Sequence, residues 1–319
     1  MPTSPAGTRQ RAAVIMNPIK KTDVDIRALV DRVCRNEGWE EPLWLETTKE
    51  DPGRGMAREA LDAGVDVVIA AGGDGTVRCV AAELTGSDTP LGLLPLGTGN
   101  LLARNLDIAV DDPAAAVAAA LGGADRNIDV VHVTLDRALK GDVFLVMAGL
   151  GYDAALMGDT NDTLKDNVGW LAYVDAGIRN LPGKPVKSTI RLDGGKEIHG
   201  HPRSVMGGNC GKIMGGLEIF PGARIDDGLL DVMTMAPKGR FGWLNVVAGL
   251  LRRGKGSTSV DYYQCKEAEI FTEVPQEFEV DGDHLGKASH VAFRVDPSAL
   301  RVRMPHGKKD PAILTNPKV

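Results

Sequence analysis

Residues 67–76 read Val67-Val68-Ile69-Ala70-Ala71-Gly72-Gly73-Asp74-Gly75-Thr76, an apolar run that ends in a glycine-rich turn. A short apolar run bounded by glycine is typical of a buried strand, and residues 76–84 suit a helix that follows the turn. Glycine lets the backbone approach a ligand closely, and a helix N-terminus presents free N–H groups. The stretch therefore predicts a strand, a turn and a helix that together favour a bound anion.

The same pattern occurs a second time, where Leu91-Gly92-Leu93-Leu94-Pro95-Leu96 ends in Gly97-Thr98-Gly99-Asn100. Residues 100–105 suit another helix start. The hydroxyl groups of Thr76 and Thr98 add hydrogen-bond donors to the two turns. Two such turns in one chain predict phosphate binding by the backbone.

Neither turn has the pattern of the commonest nucleotide motifs. Arg78 and Leu102 stand where G-x-G-x-x-G needs its third glycine, and no Gly-Lys-Ser or Gly-Lys-Thr closes a P-loop. Asp74 is unusual in a phosphate turn, because a carboxylate repels phosphate unless a cation such as Mg²⁺ lies between them. The structural alternative is a pair of tight turns in which Asp74 hydrogen-bonds its own loop.

Further motifs lie in the same order as in a known family. They are Asn17-Pro18, the two turns above, Pro221-Gly222-Ala223-Arg224-Ile225-Asp226-Asp227-Gly228-Leu229-Leu230-Asp231-Val232 and Val280-Asp281-Gly282-Asp283. In this order they resemble the diacylglycerol kinase catalytic domain family, which includes bacterial lipid kinases and sphingosine kinases. The likeness covers residues 12–305. The first turn alone is less specific, since NAD kinases share it.

The resemblance implies an ATP site in the first part of the chain. Its residues are Asn17, Thr47 or Thr48, Gly72, Gly73, Asp74, Gly75, Thr76, Val77, Gly97, Thr98, Gly99 and Asn100. The choice between Thr47 and Thr48 stays open because the loop over 47–55 is longer than usual. Arg78 departs from the family's common asparagine, which leaves its role undefined.

Phosphoryl transfer depends on alignment, charge neutralisation and a carboxylate that accepts the hydroxyl proton. The resemblance assigns that base to Asp283, together with Asp74 at the nucleotide. The family usually has glutamate at the first of these positions, and aspartate is shorter by about one C–C bond, ~1.5 Å. The alternative is that Asp281-Gly282-Asp283 forms an ordinary hairpin turn.

The resemblance also implies a structural Mg²⁺ site in the motif over 221–232. Its ligands would be the Asp227 carboxylate and the backbone carbonyl groups of Arg224 and Leu229. Oxygen ligands of this kind suit a hard divalent cation. A solvated acidic turn is the alternative.

Length, charge and cysteine content narrow the class of protein. A chain of 319 residues exceeds what one hydrophobic core usually supports. The net charge of −6, with 37 basic and 43 acidic residues, makes nucleic acid an unsuitable partner. Four widely spaced cysteines without a C-x-x-C pair indicate a reducing cytosol. The sequence contains no signal peptide and no apolar stretch of roughly 20 residues, so a lipid-binding enzyme would visit the membrane transiently.

The order of strand-like and helix-like segments predicts two domains. Residues 1–10 form a flexible tail, residues 11–127 a doubly wound α/β nucleotide-binding domain and residues 128–303 a β-sandwich for the substrate. The resemblance places residues 304–319 back against the first domain. Predicted strands cover 12–16, 42–46, 66–71, 91–95, 129–135, 143–148, 186–192, 204–208, 229–235, 259–271, 277–280 and 291–295. Predicted helices cover 24–36, 54–63, 76–84, 113–121, 164–181 and 240–253, with residues 122–125 as a linker and residues 199–201 in a polar loop.

These features together predict a lipid kinase that transfers the γ-phosphoryl group of MgATP to a lipid hydroxyl group. Diacylglycerol, giving phosphatidic acid, is the expected acceptor, presented at a membrane surface. The apolar segment over 241–255 has a basic end that suits either peripheral membrane contact or packing on a sheet, and a homodimer is compatible with the sequence. The alternatives are a NAD kinase-like enzyme and an ATP-binding sensor with weakened catalysis.

Overall fold

A computed structural model describes residues 9–20, 22–136, 138, 141–151, 185–213, 218–237 and 259–306. The predicted helices over 164–181 and 240–253, the apolar segment over 241–255, residues 1–8 of the predicted tail and residues 307–319 lie outside the described residues. The described chain divides into two compact units, one of residues 9–128 with 299–306 and the other of residues 129–298.

The first unit contains a parallel β-sheet. Its strands lie in the order β2-β1-β3-β4, followed by the end of a later strand in which Val302 pairs in parallel with Leu91. Their bounds are β1 Ala12–Met16, β2 Leu43–Glu46, β3 Val67–Gly72 and β4 Leu91–Pro95. Every residue of β3 and β4 is buried, as the unbroken apolar runs predicted.

Helices join and cover these strands: α1 Ile26–Glu37, α2 Arg54–Asp62, α3 Asp74–Leu84, α4 Leu101–Asn105 and α5 Pro113–Gly122. Asp25 and Asp112 begin α1 and α5 by accepting backbone hydrogen bonds at the first turn. Helix α1 contacts α5, and α2 contacts α3. With right-handed crossovers this strand order places the two helix groups on opposite faces of the sheet, which is the predicted doubly wound arrangement.

The second unit is antiparallel and sandwich-like. Two sets of strands, β12-β11-β10-β7-β13 and β9-β8-β13, share one long strand. The bounds are β5 Ala124–Leu135, β6 Asp142–Phe144, β7 Met147–Leu150, β8 Ser188–Leu192, β9 Lys196–Gly200, β10 Ser204–Gly208, β11 Leu230–Met235, β12 Val260–Cys265, β13 Glu267–Val280 and β14 Asp283–Met304.

Strand β13 changes partner along its length. It pairs with β8 over residues 268–272 and with β7 over residues 278–280, and a register shift separates Phe271 from Gln276. A strand that bends in this way can serve two sheets. The hydrophobic core of this unit includes Phe144 and Phe293, whose rings form a T-shaped contact with 5.4 Å between their centroids.

Several predicted boundaries are wrong. The segment over 259–271 is two strands, because the chain breaks pairing at Lys266. The predicted short strands over 277–280 and 291–295 are parts of the longer strands β13 and β14. Exposed polar residues interrupt the apolar pattern of these strands, so the sequence did not predict their full length. The residues of the predicted linker form the end of α5 and the start of β5. His199, predicted in a loop, lies in β9, an exposed polar strand that the sequence did not indicate. Within the described parts of the chain, no helix has the length and apolar character needed to cross a bilayer.

Candidate functional site

The two glycine turns lie side by side in the first unit. Gly72 pairs with Pro95 at the ends of β3 and β4, so the turns that follow leave the same edge of the sheet. A Cβ on Gly97 would lie 2.7 Å from the Cα of Gly73, closer than real Cβ atoms approach. Position 97 therefore needs glycine because the turns pack against each other, whereas a Cβ on Gly73 would lie at an ordinary contact distance of 3.5 Å from the Cα of Gly97.

Asp74 joins the two turns. Its carboxylate accepts hydrogen bonds from the backbone N–H groups of Asn100, at 2.9 Å, and Leu101, at 2.6 Å. Asp74 therefore caps the N-terminus of α4. The side chain of Asn100 in turn accepts a hydrogen bond from the N–H of Gly97.

These contacts correct one expectation about the second turn. Three of its backbone N–H groups, those of Gly97, Asn100 and Leu101, already donate to protein oxygen atoms. They do not point as a set toward a phosphate. Thr98 is exposed at this turn, and its hydroxyl remains a candidate contact.

The N-terminus of α3 has a different environment. Its N-cap residue, Gly73, provides no side-chain hydrogen bond, and the first N–H groups of any α-helix lack partners within the helix. The Nζ atom of Lys20 lies 3.8 Å from the position that a Cβ on Gly73 would occupy. A helix dipole and a lysine thus place positive charge at the same point. Sequence reasoning missed Lys20, because it belongs to no motif.

Other predicted nucleotide residues lie at this edge of the sheet. The backbone N–H of Asn17 donates to Ala71, and that of Thr47 donates to Met16, so both residues extend the strand ends. Thr48 is exposed, and its hydroxyl oxygen accepts a hydrogen bond from the N–H of Asp51.

Thr76 and Val77 lie in the first two turns of α3. Thr76 is buried, and a Cβ on Gly72 would lie 2.8 Å from its Oγ1 atom. Its side chain therefore packs over Gly72. The N–H of Val77 donates to the carbonyl of Gly73. The structure brings all the predicted nucleotide residues to one edge and shows that Thr76 also has a packing role.

The second unit contains the turn that follows β13. Asp281 and Gly282 have φ angles of 47° and 88°, as a two-residue hairpin requires. The Asp281 carboxylate is buried and accepts hydrogen bonds from the N–H groups of Leu145, Val146 and Met147, at 2.9, 2.9 and 3.0 Å. Asp281 therefore fixes the turn to a neighbouring segment, a role that the sequence did not indicate.

Two other carboxylates flank Asp281. Asp283 begins β14 opposite Val280, and Glu279 lies opposite His284. Directly opposed residues of an antiparallel pair share a face, and successive residues alternate between faces. The predicted base Asp283 and the buried Glu279 therefore belong to opposite faces of the hairpin.

The predicted metal loop is held by a buried aspartate outside the motif. Asp129 is fully buried and accepts hydrogen bonds from the N–H groups of Gly228 and Ser298, both at 2.7 Å. Asp227 accepts one from Leu229 at 3.1 Å. Arg224 contacts Asp226 at 3.5 Å.

Carboxylates crowd this loop. Burial raises the pKa of Asp227, and the negative charge of Asp129 raises it further. The hydrogen bond that Asp227 accepts from the N–H of Leu229 lowers it, but by less than burial raises it. Burial, then the charge of Asp227, raises the pKa of Asp231 to about 7. Among the described residues no three acidic, histidine or cysteine side chains form a metal cluster. The implied donor set needs only the Asp227 carboxylate and two carbonyl groups, and a cation there would offset the repulsion.

Comparisons with known proteins agree with this two-part arrangement. Residues 11–133 match the diacylglycerol kinase catalytic domain, and residues 146–304 match the YegS C-terminal NAD kinase beta sandwich-like domain. A Pseudomonas fluorescens protein named "Probable lipid kinase YegS-like" is 32% identical over 303 residues, which cover 93% of this chain and 96% of that protein. A Klebsiella pneumoniae protein of the same name is 30% identical over 299 residues, covering 92% and 95%.

Solved structures show the same fold. A diacylglycerol kinase from Bacillus anthracis matches with a TM-score of 0.71 and 19% identity, over 95% of this chain and 99% of that one. An NAD kinase from Archaeoglobus fulgidus in complex with ATP matches with a TM-score of 0.52 and 13% identity, over 93% and 94%. The fold is therefore that of diacylglycerol kinase-like and NAD kinase-like structures. The chain belongs to the diacylglycerol kinase catalytic domain family.

Proposed function

We propose that this protein is a lipid kinase that transfers the γ-phosphoryl group of MgATP to a lipid hydroxyl group, with diacylglycerol as acceptor and phosphatidic acid as product. The main support for the proposal is the environment of the N-terminus of α3, together with membership of this family. There Gly73 lacks a side-chain cap, and the Nζ atom of Lys20 lies close by. Backbone N–H groups and a cation at one point suit the phosphates of a nucleotide.

In this mechanism the first unit binds and orients the nucleotide. The N–H groups at the start of α3 and the ammonium group of Lys20 hold phosphate oxygens, while Asn17 and Thr47 border the same edge. Asp74 holds the second turn in place, and its carboxylate would be the residue to hold a Mg²⁺ ion that accompanies the nucleotide. That ion would neutralise charge on the transferred group.

The second unit supplies the acceptor side of the reaction. We assign to Asp283 the role of accepting the proton of the lipid hydroxyl as the new O–P bond forms. Asp281 holds this turn through its three backbone hydrogen bonds. We further propose that Asp227, with the carbonyl groups of Arg224 and Leu229, holds a structural Mg²⁺ ion.

The lipid must reach the enzyme from a membrane surface, and we propose transient peripheral contact of a cytoplasmic protein. The segment over 241–255 is the candidate for that contact. We also propose a homodimer as a state to be tested by light scattering. Neither proposal changes the assignment of the chemical step.

The decisive experiment incubates purified protein with γ-³²P-labelled ATP, Mg²⁺ and a panel of lipid alcohols in mixed micelles. We expect label in phosphatidic acid when diacylglycerol is present, and about 100-fold less label with Asp283→Asn. An equal rate with Asp283→Asn would remove Asp283 as the base. Label in NADP from NAD, with none in lipid, would establish the NAD kinase-like alternative. Stabilisation by ATP without any transfer would establish the sensor.

A further inference from the structure

One buried asparagine of the second unit binds two separate segments at once. Asn209 directly follows β10 and is 1% exposed. Its Nδ2 atom donates hydrogen bonds to the carbonyl oxygens of Asp129 and Leu145, both at 3.0 Å. A side-chain amide has two N–H donors, so this residue uses both of them on backbone acceptors.

The two carbonyl groups fix the orientation of the Asn209 amide. If the amide were turned over, its Oδ1 atom would face two carbonyl oxygens and both hydrogen bonds would be lost. In the observed orientation Oδ1 is buried, and no hydrogen bond reaches it from the described residues. Burying an acceptor in this way costs stability, which an apolar side chain would avoid. The two donated hydrogen bonds therefore distinguish asparagine from an apolar residue at this position.

The first of the two acceptors belongs to the residue that holds the predicted metal loop. The carboxylate of Asp129 accepts the N–H groups of Gly228 and Ser298, and its own backbone N–H donates to Ile225 at 2.7 Å. Asp129 is thus the anchor of the loop over 221–232. Asn209 holds the backbone of this anchor from a different segment of the chain.

The second acceptor belongs to the segment that holds the turn of the proposed base. Residues 145–147 donate three N–H groups to the Asp281 carboxylate, and Asp283 follows in the same turn. Asn209 also donates its backbone N–H to the carbonyl of Val146 at 2.8 Å. The segment over 145–147 is therefore held by Asp281 on one side and by Asn209 on the other.

We propose that Asn209 is a positioning residue for phosphoryl transfer, which joins the anchor of the metal loop to the anchor of the base turn. The proposal rests on the proposed lipid kinase function and deepens it. Asn209 acts through Asp129 and through residues 145–147, which hold Asp281 and with it the turn of Asp283. Because a displacement of about 1 Å can cost about 100-fold in rate, a fixed distance between the two anchors keeps the base aligned.

The first test measures the link without any substrate, by amide hydrogen exchange in NMR spectra. In Asn209→Ala we expect two sets of amides to exchange at least about tenfold faster, because their local opening becomes easier. These sets are residues 145–147, and Gly228 with Ser298. Rates are compared with those of amides between β8 and β13, which report wider opening of the unit. Faster exchange in one set alone, or in neither, would overturn the proposal.

Ser204→Ala is the matched control. Ser204 is a buried residue of β10, and its hydroxyl group donates to the carbonyl oxygen of Leu150 at 2.9 Å. This variant also removes a buried side-chain hydrogen bond to a carbonyl group, but from neither anchor. It should leave both sets of amides at the rates of the wild type.

The second test separates positioning from nucleotide binding. With diacylglycerol as acceptor, Asn209→Ala should lower kcat at least about tenfold and change the KM for ATP by less than about twofold. Ser204→Ala should keep both constants. Asn209→Ser retains one hydroxyl donor, which can serve one carbonyl group at a time, so its kcat and exchange rates should be intermediate. This milder variant decides the question if Asn209→Ala does not fold.

The two tests also distinguish this proposal from the proposed function. If the wild type phosphorylates no lipid, the kinase assignment fails, and the exchange rates still decide whether Asn209 joins the two anchors. If the wild type phosphorylates lipid and folded Asn209→Ala does so with the same kcat, the positioning role fails while the kinase assignment stands. Equal kcat in wild type and Asn209→Ser, with Asn209→Ala unfolded, would likewise overturn the positioning role.

Discussion

The carboxylate of Asp74 accepts a hydrogen bond of 2.9 Å from the backbone N–H of Asn100, which lies 26 positions further along the chain. Asp74 begins α3, and Asn100 precedes α4 with a left-handed φ of 48°. One side chain thus holds the second glycine turn against the first and keeps a negative charge beside the uncapped end of α3. We therefore expect both fold stability and nucleotide binding to depend on this carboxylate.

The first prediction is that Asp74→Asn weakens both stability and transfer. The amide retains one acceptor oxygen and presents an NH₂ group toward the other backbone N–H, so one of the two hydrogen bonds is lost. We expect the free energy of unfolding in denaturant to fall by about 1–2 kcal/mol. Because the proposed nucleotide site depends on the two turns staying together, labelling of lipid should fall about 100-fold.

Asp112→Asn provides the control for this prediction. Asp112 caps α5 with a single hydrogen bond of 3.0 Å to Ala115, away from both glycine turns. It should lose no more than about 1 kcal/mol of stability, and its rate of transfer should stay within twofold of the wild type. A folded Asp74→Asn protein with a full transfer rate would show that this carboxylate has only a structural role.

The second prediction concerns the contact between the glycine turns. In Gly97→Ala the new methyl group would meet the Cα of Gly73 at 2.7 Å, and both are backbone-anchored, so one turn must move. We expect a loss of about 1–3 kcal/mol of stability and a clear rise in the KM for ATP. Gly122→Ala, at the end of α5, has nothing within 4 Å of the new atom. Gly122→Ala should therefore retain the stability and the KM for ATP of the wild type. An unchanged KM for ATP in Gly97→Ala would contradict the assigned site.

Most of the first unit could be predicted from the sequence, because local signals there repeat. Each apolar run ends in glycine or a polar turn and precedes a helix, and two of the helices, α1 and α5, begin at aspartate caps that the sequence shows, Asp25 and Asp112. The α/β unit and the sandwich-like unit are confirmed. The boundaries of β13 and β14 could not be predicted, since their length depends on partners far along the chain.

The site itself was predicted less completely for the same physical reason. Motifs identify residues, but the partner of a side chain is a property of the folded chain. Nothing in the sequence shows that Asp74 caps α4, that Asp281 binds three N–H groups of a distant segment, or that Lys20 lies beside Gly73. The roles of Asp283 and of the metal loop stay predictions.

The third prediction uses the cysteines. All four are buried, and burial, then the charge of Asp31, raises the pKa of Cys34 to about 11. Burial, then the charge of Asp193, raises the pKa of Cys265 to about 12. A raised thiol pKa keeps the unreactive protonated form at pH 8. A chromogenic disulfide reagent should therefore react slowly with the native protein. After unfolding, it should react rapidly with all four thiols. A fast native thiol would contradict the burial of these side chains.

The fourth prediction tests the metal loop without nucleotide. The pKa of Asp227 is raised in the folded protein, chiefly by burial and by the charge of Asp129, so its ionised form costs stability at neutral pH. With EDTA present, Asp227→Asn should therefore be as stable as the wild type or more stable. Mg²⁺ should raise the thermal midpoint of the wild type, because a bound ion stabilises the folded state by mass action, and should leave the variant unchanged.

Asp261→Asn is the matched control, because Asp261 is exposed on β12. It removes the same charge from the same unit, so it should retain the full rise in thermal midpoint with Mg²⁺. An equal rise in Asp227→Asn would show that Mg²⁺ binds elsewhere. The absence of any rise in the wild type, up to several millimolar Mg²⁺, would instead establish the solvated turn, in which Asp129 accepts the N–H of Gly228 and Asp227 accepts that of Leu229 without a metal ion.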